Sequence, residues 1–309
     1  MTVPGNPLTT VSSNPRSALP ARAAGAPPAL VAVAHGSRDP RALDTVRALL
    51  GLVRALRPEL TVRFGHIELN EPPLSAALAA LPPGRAVLVP LLLGRGHHVS
   101  YDIPAAAADA PHLESCFAAP LGPHPLLAEV LHERLLEAGW RVPGPADGPP
   151  GPGAREVSAA RATTGHGAVP RIRGGRPRRR PHPSATHAVV LAAAGSRDPD
   201  AAVDTRATAA LLAARLGVPV VPAYASAAAP SVPEALRMLA IGGWRHTVVA
   251  SYFTAPGRFA TQSADAAAGC ASAPLGAHPA MARLLLHRYD QALATAARRR
   301  PQPHRLTSA

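Results

Sequence analysis

The sequence predicts an α/β protein built as two tandem domains, each a mostly parallel sheet flanked by helices. Three observations predict it. The chain of 309 residues is about twice the length of a common single domain. Its blocks 29–140 and 186–297 repeat one another. Gly36-Ser37-Arg38-Asp39-Pro40 recurs as Gly195-Ser196-Arg197-Asp198-Pro199, and Asp44-Thr45 as Asp204-Thr205. Leu121-Gly122-Pro123-His124-Pro125 returns as Leu275-Gly276-Ala277-His278-Pro279, and Cys116 as Cys270. A repeat this long marks duplicated domains rather than a solenoid. Within each block, short apolar runs alternate with stretches of helical spacing, which implies parallel strands covered by helices on both faces.

In the first block, Ala29–Ala34 is an unbroken apolar run ended by a glycine turn, the pattern of a doubly buried strand. Arg41 to Arg57 follows with Leu43, Val46, Leu49, Leu50 and Val53 at helical spacing. Thr61 to Ile67 reads as a second strand and Pro73 to Leu81 as a helix with proline in its first turn. Ala86 to Leu92 is a wholly apolar third strand, and Ser115 to Ala119 a short fourth. Leu126 to Ala138 is a closing helix stopped by Gly139. Leu49 and Leu135 are core positions in this reading. Cys116 and Cys270 each fall mid-strand, as small core residues rather than a disulfide.

All 32 basic residues are arginine, and the formal net charge is +13. The excess lies outside the repeated blocks. Residues 1–28 hold Arg16 and Arg22 and no acid; residues 141–183 hold nine arginines against Asp147 and Glu156; residues 298–309 hold four more. Proline and glycine crowd PGPADGPPGPGAREV and PRIRGGRPRRRPHP, which cannot bury a core. The expected organisation is therefore a disordered tail 1–28, a Pro/Gly/Arg-rich linker 141–185 and a basic tail 298–309. A duplex-binding domain would set its arginines on a folded face, so no specific nucleic-acid partner is expected. The apolar runs are too short to cross a bilayer, and the first residues lack the apolar stretch of a secretion signal. A cytoplasmic protein with no membrane partner is expected. CxxC, HExxH, GxGxxG and P-loop patterns are missing, and no organic cofactor is expected.

In parallel α/β folds, ligands gather at the carboxyl ends of the strands. After the first strand stands His35-Gly36-Ser37-Arg38-Asp39, and after the second stand Glu68 and Glu71. Leu93-Gly94-Arg95-Gly96-His97-His98 follows the third, with Asp102 beyond it. Imidazole and carboxylate suit a divalent transition metal, and a neutral imidazole can also accept a proton. Glycines beside both histidine positions let a bulky ligand approach the backbone.

The apolar strand running into HGSRDP, the E-x-x-E-P segment and V-P-L-L-L-G-R-G-x-H-V-x-x-D-I-P together resemble the sirohydrochlorin chelatases of the CbiX/SirB type, the class II tetrapyrrole chelatases. The resemblance covers both blocks, with its specific motifs confined to the first. It implies tandem flavodoxin-like, chelatase-like domains. It also implies insertion of Co2+ or Fe2+ (Ni2+ in some members) into sirohydrochlorin, on the way to cobalamin or sirohaem, with the metal as a substrate. The family's metal-binding histidines fall on His35 and His98, and the first is also its catalytic proton acceptor. Its substrate-contacting acid falls on Glu71, and its substrate loop on Leu93, Gly94, Arg95, Gly96, His97 and His98. His97 departs from the aromatic or apolar residue expected there; it adds a ligand or lines the wall. Arg38 and Arg95 are plausible partners for substrate carboxylates, although Arg38 in the repeated GSRDP has a competing role in capping the first helix. A non-catalytic carrier of metal or tetrapyrrole with the same fold is the alternative.

The second block serves as an internal control. It has Ala194 at the position of His35, Ala229 at Glu71 and Phe259 at His98. One site, in residues 29–140, is therefore expected. The degenerate repeat 186–297 would close the cleft with wall residues such as Phe253, Arg258 and Phe259, in a monomer whose two domains form a single cleft. His124 and His278, present in both blocks, read as loop or helix-start residues.

Overall fold

The computed structural model describes residues 27–141 and 186–299. The expected tails and linker lie almost wholly outside the described residues.

Strand β1 (Ala29–Ala34) can be apolar throughout because both of its faces are covered. Leu30, Ala32 and Ala34 enter one core, while Val31 and Val33 enter another. It pairs in parallel with β2 (Val62–His66) on one side and β3 (Gly84–Pro90) on the other, and β4 (Leu113–Phe117) flanks β3. Helix α1 (Pro40–Leu56) starts where the Asp39 carboxylate accepts the Arg41 amide, with Pro40 in its first turn. Asp39, not Arg38, is thus the cap. Val46, Leu49, Leu50 and Val53 face inward from α1. Helix α2 (Leu74–Ala79) follows β2; a π-helical turn (His98–Asp102) runs into α3 (Ile103–Ala108); α4 (Pro125–Glu137) ends the half.

The second half repeats this order with β5 (His187–Ala193), α5 (Pro199–Leu216), β6 (Val220–Tyr224), α6 (Val232–Ile241), β7 (His246–Ser251), α7 (Arg258–Ala266) and α8 (Pro279–Arg299). Its sheet has three parallel strands in the order β6-β5-β7. The expected fourth strand shrinks to one bridge between Val249 and Ala271. The chain ahead of it turns through left-handed backbone at Ala268 and Gly269, so it cannot run extended. This corrects the reading of Cys270 alone, since Cys116 lies within β4 against the core. Cys270 is exposed and Cys116 half-buried, and both are free thiols. Helix α8 continues through Arg298 and Arg299, two residues into the expected tail. Among the described residues no helix is long and apolar enough to cross a membrane.

The last helix of each half packs on the other half. Helix α4 lies against α5 and β7, and α8 lies against α1, β3 and β4. Each delivers an arginine to the opposite copy of the repeated Leu-Gly-x-His-Pro turn. Arg134 of α4 donates to the Leu275 carbonyl, and Arg288 of α8 donates to the Leu121 and Pro123 carbonyls. His124 and His278 accept the amides of Leu126 and Ala280 through Nδ1, so both begin helices as expected. That motif is repeated because it is a docking turn. A single core cluster consequently joins Leu30, Leu50 and Val89 of one half to Leu191, Leu285 and Tyr289 of the other.

Candidate metal centre

The exchange sets the carboxyl ends of the two sheets against one shared cavity of roughly 1070 Å³. That is near the upper end of ordinary ligand pockets, large enough for a macrocycle. Its first-half wall carries His35, which leaves β1, and Glu68, which leaves β2. The two come together because of Gly36. This residue sits at φ 108, and a Cβ there would stand 1.9 Å from the Glu68 carbonyl oxygen. Only glycine lets the β2 loop cross so closely, and the Glu68 amide then donates to the His35 carbonyl at 2.9 Å. His98 opens the π-helical turn after β3. Its ring lies 4.7 Å from that of His35, edge to face. Ligand atoms of His35, Glu68 and His98 all lie within 4.8 Å of one another.

The groups are suited to one divalent ion. His98 Nδ1 is 2.5 Å from Asp102 Oδ2, one helical turn on, so the carboxylate occupies one ring nitrogen and leaves Nε2 for the ion. Carboxylate-held histidines of this kind are the usual ligands of transition metals. His66, buried at the end of β2 and also lining the cavity, is held toward the neutral imidazole by its burial.

The loop that carries His98 is clamped by the second half. Asp204, whose side chain is 8% exposed, accepts the Arg95 backbone amide at 3.1 Å and its guanidinium at 2.8 and 3.0 Å. Arg95 Nη1 also reaches Asp200 at 2.7 Å. The Tyr252 hydroxyl, which burial keeps protonated, donates to the Leu93 carbonyl. Gly94 lies against Asp204, Gly96 against Ser196, and reciprocally Gly257 against Ser37.

His35, Arg38, Leu93, Gly94, Arg95, Gly96, His97 and His98 all line the cavity. Two of the expected residues have other surroundings. Glu71 is exposed, does not line the cavity, and acts electrostatically on His66; the acid beside the histidines is Glu68. The Arg95 guanidinium is bound by Asp200 and Asp204 rather than open to a ligand. His97 stacks on Tyr101 at 4.8 Å and is not in the three-ligand cluster, so it lines the wall. Asp102 was visible after the third strand, but its role was not: an acid four residues after a histidine becomes its partner only on helical backbone. Asp204, repeated with Asp44, gave no hint of its reach into the other half.

The family model described as CbiX matches this chain twice, over residues 29–138 and 188–292. The sirohydrochlorin cobaltochelatase of Methanosarcina acetivorans is 28% identical over 123 residues, 35% of this chain and 95% of that protein. The chloroplastic sirohydrochlorin ferrochelatase of Arabidopsis thaliana is 31% identical over 125 residues, 38% of this chain and 56% of that protein. Among solved structures, SirB from Bacillus subtilis with Fe3+ superposes with a TM-score of 0.64 at 21% identity. The match covers 88% of this chain and 97% of that one, a likeness of fold.

Proposed function

The chain belongs to the CbiX family, and from that premise we propose that it is a sirohydrochlorin chelatase, a lyase that inserts Co2+ or Fe2+ into sirohydrochlorin. The observation that carries this reading is the meeting of His35, Glu68 and His98 at a cavity of macrocycle size. The overall change is exchange of two pyrrole N–H protons for one divalent ion. His98, oriented by Asp102, presents the ion together with His35 and Glu68. As the ion passes to the pyrrole nitrogens, the His35 imidazole and the Glu68 carboxylate are released and accept the two protons, one each. Arg38 is exposed on the cavity and, among the described residues, without a hydrogen bond or ion pair, so it is open to a substrate carboxylate. The protein works in this reading as a cytoplasmic monomer with one cleft walled by both halves. A mere carrier is not favoured, because the relatives are named for metal insertion.

The test is to mix the full chain with sirohydrochlorin and Co2+, Fe2+ or Ni2+ in turn and follow the pigment's absorbance. Metallation faster than in protein-free controls is expected with Co2+ or Fe2+. Binding of pigment with an unchanged rate would leave only the carrier. Asp102→Asn, which removes the charge behind His98, is expected to weaken Co2+ binding by about 10–100-fold in calorimetry.

A further inference from the structure

The second half has no ligand at the positions of the metal cluster. Alignment of its strands places Ala194 at His35, Ser226 at Glu68 and Phe259 at His98. Yet it presents two arginines to the same cavity. Arg197 is the repeat of Arg38, and Arg258 stands where the first half has His97. Both are exposed, and among the described residues neither makes a hydrogen bond or ion pair; Arg258 only lies 5.8 Å over the Phe259 ring. The carboxylates nearby are already engaged. Asp39 is held by Arg41, Asp198 accepts the Asp200 amide at the start of α5, and Glu68 belongs to the metal cluster. Two guanidiniums without an ion-pair partner among the described residues, in a concave site, are an anion-binding arrangement, and their planar forks match carboxylates.

We infer that the second half reads the substrate: Arg197 and Arg258 grip carboxylates at the edge of the macrocycle, so that its centre faces His35 and His98 across the cavity. The inference rests on the proposed chelatase reading and assigns it a division of labour, with metal chemistry on one wall and carboxylate recognition on the other.

The test uses the full chain, wild type and Arg197→Ala, Arg258→Ala and the double variant, with sirohydrochlorin and its fully esterified, uncharged form. Each single change is expected to raise KM for sirohydrochlorin roughly tenfold or more, from the loss of a charge-assisted hydrogen bond, and the double change further. Calorimetric Co2+ binding and binding of the ester should stay close to wild type. An unchanged KM in the double variant of an active enzyme would overturn the inference and leave the chelatase reading standing. A loss of Co2+ binding equal to the loss of substrate would also overturn it, as the arginines would then be supporting the metal wall. A wild-type chain that does not accelerate metallation would remove the reading itself.

Discussion

His35→Ala is expected to abolish most of the acceleration of metal insertion, a loss of about 10²–10⁴-fold for the proton transfer alone. The ring stands at the end of β1, exposed to the cavity and 4.7 Å from His98. In the proposed reading it both holds the incoming ion and accepts a proton from the macrocycle. It holds no part of the fold through its side chain, so thermal unfolding of the variant should match wild type. His97→Ala is the matched control. His97 stacks on Tyr101 outside the ligand cluster, and its loss is expected to cost no more than a few-fold. The absorbance assay checks both, and comparable losses in the two variants would refute the assignment of His35.

Tyr289→Ala is expected to destabilise the protein by about 3–5 kcal/mol, as for other large buried aromatics. Tyr289 is on α8 of the second half but is 1% exposed in the core it shares with the first. Its hydroxyl donates to the Pro28 carbonyl at 2.7 Å, just ahead of β1. The ring therefore fills space against the sheet of the other half, and its removal would leave a cavity there. Tyr289→Phe, which loses only the hydrogen bond, should cost about 1 kcal/mol. Denaturant unfolding measures both. If the halves are as interlocked as the exchange of α4 and α8 implies, Tyr289→Ala should lower a single cooperative transition. Two separate transitions, with only the second displaced, would show that α8 serves its own half.

Periodicity and motif order were enough to read β1, α1, β3 and the duplication, because each is written in local sequence. The doubly buried run Ala29–Ala34 and the inward stripe of α1 have only one sensible environment. Helix α3 went unread because IPAAAADA offers no contrast between faces. Strand β4 begins at Leu113, two residues before expectation, since its register is set by the pairing of Leu113 with Gly84. Exchange of the last helices could not be read at all: a buried stripe on α4 or α8 says that something covers it, not which sheet. At the site, both histidines were legible from their place after strands. The acid beside the histidines, Glu68, could not be singled out from the E-x-x-E-P pattern, because what brings it there is the close crossing at Gly36. Arg95 looked like a ligand group because its partners, Asp200 and Asp204, come from the other repeat.

Locating Co2+ by anomalous diffraction from crystals of the full chain grown with the ion tests the central claim most directly. The expected result is one ion held by nitrogens of His35 and His98 and an oxygen of Glu68, at about 2.0–2.2 Å from each. An ion seated on His97 and Asp102, or anywhere that leaves His35 without a bond to it, would contradict the account.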